Sequence, residues 1–300
     1  QHAGSFQVLA EHLVANGFIV LSVDLRGHGL RYHGDSNSEV DRTVNYERSA
    51  DDLVATLEQT RKDYPGLSLF CLGESVGAGV ATRAAGATHG LLDGIILCSA
   101  GTRPCVFNPF MVARDFAKGI VRLDKLMDVS RYIDRYSADD KRVSDEMISD
   151  PLSRIQLTPR EILRTAWFIR RTPDAAKKVD ATIPVLIVQG EIDHIVGNHS
   201  VKSILHNLPS TNKKIVELAK CGHVLMGTSY LKPAVVESLT DWLNTVSTLP
   251  PSIARDAVTN FKTPIIGPLI DSSSTVHHHA TAPSTSSTAA SASGRIESGS

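Results

Sequence analysis

Leu67-Ser68-Leu69-Phe70-Cys71-Leu72-Gly73-Glu74-Ser75-Val76-Gly77-Ala78-Gly79-Val80-Ala81 is the stretch that decides the fold. Its apolar first part reads as a strand, and its run of small residues after Gly77 reads as the start of a helix. Between them stands G-x-S-x-G, from Gly73 to Gly77. A serine at such a strand–turn–helix junction is forced into a strained backbone conformation, and the flanking glycines give strand and helix room to approach. Its hydroxyl then stands clear of the sheet, at the positive end of a helix. A bare G-x-S-x-G occurs often by chance; this context makes Ser75 a candidate nucleophile rather than a plain Gly-Ser turn.

Outward from this junction, strand-like and helix-like segments alternate. Residues 5–16 carry apolar side chains at helical spacing, and Gly17 stops that helix. Phe18-Ile19-Val20-Leu21-Ser22-Val23 reads as a buried parallel strand. Residues 44–64 predict a long amphipathic helix, 94–99, 184–189 and 214–218 further strands, and 231–246 a closing helix around Leu239, Trp242 and Leu243. Residues 102–180 read as mostly helical, with no strong strand. Alternation of this kind predicts an α/β domain over residues 1–246, a mostly parallel sheet with helices on both faces. After it, Leu249-Pro250-Pro251 opens a linker over 247–270, and 271–300 reads as a disordered tail rich in Ser, Thr and Ala. His277-His278-His279 reads as a polar cluster in that tail rather than a metal site.

Bulk composition narrows the classes. The 300 residues are 42% hydrophobic with a formal net charge of -1, so no strong field favours a polyanion. Basic residues are not clustered with aromatics, which argues against nucleic acid as a partner. No apolar run is long enough for a membrane span. Cys71, Cys98, Cys105 and Cys221 lack metal-binding spacing, so no metal is expected. Cys71 and Cys98 fall in buried strands, as small hydrophobes do, and Cys221 reads as packing. This usage fits a reduced setting, and the expected location is the cytoplasm.

A nucleophilic serine needs a base, and the base an orienting acid. On a serine elbow of this type the chain order is serine, acid, histidine, with the partners in loops after later strands. Strand 184–189 runs into Gly190-Glu191-Ile192-Asp193, and strand 214–218 into Ala219-Lys220-Cys221-Gly222-His223. Asp193 and His223 therefore complete the candidate set. Glu191 is a rival acid, and His194, His199 and His206 are rival bases that do not follow the last strand. Asp193 alone would read as a turn or helix-cap residue. Asp24-Leu25-Arg26-Gly27-His28-Gly29 could look like a second site; the stronger reading is that Asp24 and Arg26 pin a loop by hydrogen bonds, with His28 bordering the pocket as the weaker alternative.

These pieces, with Asp150-Pro151-Leu152, together resemble the monoacylglycerol lipase and lysophospholipase branch of the α/β-hydrolase superfamily over roughly residues 1–246. The resemblance implies an α/β-hydrolase fold with a helical cap at about 102–180, Ser75 as nucleophile, Asp193 as acid, His223 as base and the Val76 backbone N–H as an oxyanion donor. It implies hydrolysis of a small-molecule acyl ester, of the monoacylglycerol or lysophospholipid type, with no cofactor. An acyltransferase or aminopeptidase-type relative on the same residues, and a non-catalytic binding protein of this fold, stay open. The amphipathic stretch Phe107 to Met127 reads either as packing of the cap or as an acyl-chain groove at a membrane surface. Glu74, Val76 and Ala78 depart from the histidine, methionine and glycine common in this branch. The family also has a central strand ending in His-Gly before the helix at 5–16, supplying a second oxyanion donor, and two edge strands before that. Gln1-His2-Ala3-Gly4 resembles the remainder of that loop. The expectation is therefore that N-terminal strands are missing from this chain, that its parent carries more sequence upstream, and that the chain alone is poorly stable or weakly active.

Overall fold

Three parallel ladders organise the chain. The computed structural model describes residues 1–34, 42–102 and 123–247. A short 3-10 turn, Ala3–Phe6, leads into helix α1, Gln7–Ala15. Helix α2, Leu30–His33, and helix α3, Tyr46–Asp63, follow. The Asn45 side chain caps α3 by accepting the Arg48 N–H. Strand β1, Phe70–Glu74, passes through Ser75 into helix α4, Val76–Ala87, and strand β2 is Gly94–Cys98. The insert then contributes β3, Met127–Asp128, α5, Ser130–Tyr136, α6, Lys141–Ser149, β4, Gln156–Leu157, α7, Pro159–Arg170, and α8, Thr172–Ala176. Strand β5, Val185–Gly190, helix α9, Asn198–Asn207, strand β6, Lys213–Leu218, and helix α10, Pro233–Val246, complete the described chain.

The main sheet runs β1-β2-β5-β6, parallel throughout. Its two-residue alternation sorts side chains onto opposite faces. Ile95, Leu97, Val185 and Ile187 pack with Leu57, Ala81 and Ile204 from α3, α4 and α9. Ile96, Cys98, Leu186 and Val188 pack with Leu9, Leu13, Leu239 and Trp242 from α1 and α10. Both faces of β2 and β5 are therefore covered, which is why these strands are continuously apolar. Burial pushes the Cys71 thiol up to about 12, consistent with a packing role.

The segment Phe18–Val23 is not the strand its composition suggests. It has no ladder partner among the described residues, and β1 pairs only with β2. Phe18 and Val20 pack inward beside Phe70 and Leu72, while Ile19 and Leu21 remain 40% and 43% exposed. Apolar residues can line one face of an extended segment, but strand structure needs backbone partners as well. β1 also sits nearer the elbow than its apolar run implied, because Leu69 N–H is taken by the Asp93 carboxylate and Leu67 C=O by Arg61. The insert contains a small antiparallel ladder, β3 with β4, besides its helices. Residues 107–122 of the amphipathic stretch, the linker from residue 248 onward and the Ser/Thr/Ala-rich tail lie outside the described residues.

One buried ion pair ties the insert to the loops beside the sheet. Thr158 and Glu161 form a reciprocal cap on α7, with Pro159 at its first turn. The Glu161 carboxylate also receives Arg154 Nη2 at 2.6 and 2.8 Å, both side chains being 4% exposed. Arg154 Nη1 donates to the Gly27 carbonyl. Arg154→Met strands a buried carboxylate and is expected to cost roughly 3–5 kcal/mol in urea denaturation. Adding Glu161→Gln, which removes that stranded charge, is expected to recover part of the loss.

Candidate active site

The junction at Ser75 is built from backbone geometry. Ser75 has φ 56° and ψ -117°, a conformation rarely adopted by a residue with a side chain. Its N–H still donates to the Cys98 carbonyl at 2.9 Å, so the β1–β2 ladder holds it to the last residue. A side-chain carbon on Gly73 would lie 2.2 Å from the Gly77 carbonyl oxygen, so Gly73 has to be glycine. Gly77 corrects the sequence reading: a side-chain carbon there meets nothing within 4 Å. The close approach is made by the Gly77 backbone against Gly73, and only one of the two glycines is required by it.

Asp193 and His223 converge on this serine. His223 Nε2 lies 2.8 Å from Ser75 Oγ, and His223 Nδ1 lies 2.8 Å from Asp193 Oδ2. An ionised carboxylate can only accept, so Nδ1 carries the ring proton and Nε2 presents a lone pair to the serine hydroxyl. The two side chains are 5% and 1% exposed. Asp193 Oδ1 accepts the Ile195 and Val196 N–H groups, and Oδ2 accepts the Gln189 side-chain amide. Burial works against ionising Asp193, but His223, the Val196 N–H and Gln189 outweigh it and hold the carboxyl below its usual range. The Val76 N–H, at the first position of α4, belongs to the donors that a helix start leaves without an intrahelical partner.

The rival residues lie elsewhere in the hydrogen-bond pattern. Glu191 accepts the Lys220 N–H, and His199 contacts Ser200. The hydrogen bonds that reach Ser75 Oγ and the Asp193 carboxylate come from His223, Gln189 and the Ile195 and Val196 N–H groups. The Asp24–Gly29 stretch is a pinned loop: Asp24 accepts the Ala3 and Leu30 N–H groups, and Arg26 forms a two-point pair with Asp52. His28 lies against Tyr46, 3.2 Å from its hydroxyl. Burial, aided by the positive charge of Arg154, pushes its pKa down to about 3. Asp150, of Asp-Pro-Leu, contacts the His2 ring at 2.5 Å and caps its own turn through the Leu152 N–H. Cys221 is buried, in keeping with packing. Among the described residues, no group of three or more His, Cys, Asp and Glu could hold a metal ion. Sequence reading missed Gln189, although a polar side chain ending a wholly buried strand was a usable signal.

Comparisons with known proteins place this chain among hydrolases. A family model described as Hydrolase_4, serine aminopeptidase, S33, matches residues 1–229. The chain is 26% identical over 232 residues to human monoglyceride lipase, covering 75% of this chain and 72% of that protein. It is 28% identical over 257 residues to a monkeypox virus monoglyceride lipase homolog, covering 81% and 85%. Among solved structures, a soluble variant of Saccharomyces cerevisiae monoglyceride lipase in complex with a substrate analog shares the fold with a TM-score of 0.67 at 18% identity, covering 83% of this chain and 84% of that one. The Paleococcus ferrophilus monoacylglycerol lipase gives 0.63 at 20% identity, covering 82% and 91%.

Two expectations follow from the geometry. Gly73→Ala is expected to cost about 3 kcal/mol or more, because backbone has to move. Gly77→Ala is expected to fold with stability unchanged or raised by up to ~1 kcal/mol, since alanine favours the helix. Thermal denaturation of both variants checks this pair. His28 is held neutral in the fold, so its contribution is complete above its ordinary value of 6.5 and is lost progressively toward pH 3. Unfolding free energies from urea denaturation should therefore fall more steeply between those pH values in the parent than in His28→Gln, by at most ~1.4 kcal/mol per pH unit.

Proposed function

Since the chain belongs to the Hydrolase_4 family, serine aminopeptidase, S33, we propose that it is a serine ester hydrolase acting on monoacylglycerol- or lysophospholipid-type esters through an acyl-enzyme on Ser75. The observation that carries this reading is the continuous contact from Asp193 through His223 to Ser75, 2.8 Å at each step. That is hydrogen-bond reach for proton transfer. The monoglyceride lipases among its relatives support the choice of an ester substrate.

In this mechanism His223 Nε2 takes the Ser75 proton as Oγ attacks the ester carbonyl carbon. The Val76 N–H donates to the oxyanion as negative charge develops on the carbonyl oxygen. Asp193, held ionised, stabilises the imidazolium and keeps the ring in the required tautomer. Collapse of the tetrahedral intermediate expels the alcohol, which receives the proton from Nε2. Water then attacks the acyl-enzyme by the same route, releasing the acid and restoring Ser75. These steps call on no metal or organic cofactor.

A membrane or micelle surface is the proposed source of the substrate. Leu163 and Trp167 stand one turn apart on α7, 51% and 62% exposed, with Arg160 and Arg164 on the same helix. An exposed aromatic and aliphatic pair beside cations suits a lipid interface. A second reading rests on the description of the family: an aminopeptidase would use the same residues on an amide. The proposed location, the cytoplasm, rests on the cysteine usage alone. Among the described residues no helix is long and apolar enough to cross a membrane.

A fluorophosphonate probe is expected to label the chain and to lose its target in Ser75→Ala. Asp193→Asn is expected to lower kcat by roughly three to four orders of magnitude, because the ring tautomer is then wrong. In a panel of monoacylglycerols, lysophospholipids and aminoacyl amides, faster cleavage of the amides would sink the ester reading and favour the peptidase. Absence of labelling and turnover throughout would leave the fold as a binding protein.

A further inference from the structure

We propose that Glu74, the residue immediately before Ser75, is a positioning residue that holds the loop bearing His223 in register with the nucleophile. The proposal rests on reading Ser75 and His223 as nucleophile and base. Glu74 is only 6% exposed, and its carboxylate faces the chain just after the histidine. Oε1 accepts the Leu225 N–H at 2.8 Å and the Met226 N–H at 2.9 Å; Oε2 accepts the Gly227 N–H at 2.9 Å. Cys98 Sγ also donates to Oε1, at 3.4 Å. Three successive backbone N–H groups thus converge on one side chain, in the manner of a backbone anion nest. Burying a carboxylate is costly unless it is this well supplied with donors.

The sequence of the loop fits the same role. A side-chain carbon at Gly227 would lie 3.0 Å from Glu74 Oε2 and 2.6 Å from the Gln1 side-chain nitrogen, so glycine lets the N–H reach the carboxylate. From the neighbouring strand end, the Ser99 hydroxyl donates to the His223 carbonyl at 2.6 Å. Glu74 and Ser75 share one peptide bond. A movement of loop 223–227 relative to β1 therefore moves Nε2 relative to Oγ, and the Glu74 bonds oppose that movement. Glutamate suits the task because both its oxygens accept. Glutamine would turn an amide donor toward at least one N–H.

Glu74→Gln and Gly227→Ala perturb the two sides of this contact, and Gly227→Ala leaves the carboxylate in place if the first variant does not fold. With a 4-nitrophenyl ester as probe, each is expected to lower kcat about 10- to 100-fold while KM stays within about two-fold, the loss of a charge-assisted hydrogen bond falling on the transition state. In a His223→Ala background, adding Glu74→Gln is expected to change residual turnover less than about two-fold, since the loop then carries no base. The downfield Nδ1 proton resonance of His223, assigned by its loss in His223→Ala, is expected to shift or broaden in both variants. Parent-like kcat and an unchanged resonance would overturn the proposal, as would an undiminished Glu74→Gln loss without His223. If the parent neither turns over ester nor labels with fluorophosphonate, the catalytic reading itself falls. The resonance then still decides whether Glu74 positions the histidine: a shift retains that role and no change removes it.

Discussion

Everything at the site depends on β1 becoming α4 with a single residue, Ser75, between them. The ladder to β2 persists through the Ser75 N–H, so this residue cannot relax away from its strained backbone without giving up a hydrogen bond. Gly73 lets the Gly77 carbonyl pass within a distance that any side chain would forbid. Strand and helix are thereby locked at a fixed angle, and the hydroxyl is carried out of the sheet. A strained turn persists only where surrounding structure over-determines it. Here β2 on one side and the buried alanines of α4 on the other supply that determination.

The polar groups inside the domain divide by what they hold. Asp24, Arg26 with Asp52, and Arg154 with Glu161 tie loops and insert to the sheet's surroundings. Gln189 and the Ile195 and Val196 N–H groups hold Asp193; Glu74 and Ser99 hold the chain at His223. In the second group the Asp193 and Glu74 carboxylates each meet more than one donor, whereas the Gln189 side-chain oxygen is buried with no partner among the described residues. This matters because a half-satisfied polar network is costly, and one with slack does not fix a side chain's position. Ser75 and Asp193 are thus backed by side chains on the strands that lead into them, Glu74 on β1 and Gln189 on β5.

Much of this was legible in the chain. The helices over 5–16, 44–64 and 231–246, and the strands from 94, 184 and 214, follow from apolar periodicity and fall within a few residues of α1, α3, α10, β2, β5 and β6. The convergence of Ser75, Asp193 and His223 follows from chain order, because successive strand ends of a parallel sheet share one edge. Two things were not legible. Phe18–Val23 has the composition of a buried strand but no pairing partner among the described residues, and pairing is a property of the whole sheet. The work of Glu74 depends on three N–H groups some 150 residues downstream, in a loop where Gly227 is consistent with the contact but does not by itself announce it. Side-chain chemistry is written in the sequence; backbone donors are the same for every residue and become visible only in three dimensions.

The histidine loop is also held from the insert, and the two sets of anchors are not equivalent. Gly222 N–H donates to Asp139, Val224 N–H to the Ser137 carbonyl, and Glu146 accepts from Thr228 and Ser229. Those partners lie in and around α5 and α6, outside the sheet. Glu74 ends β1 and immediately precedes Ser75, and Ser99 directly follows β2, whose last residue, Cys98, accepts the Ser75 N–H. The histidine loop is thus held from two directions, and only the sheet side includes a residue, Glu74, that is joined to Ser75 by a peptide bond.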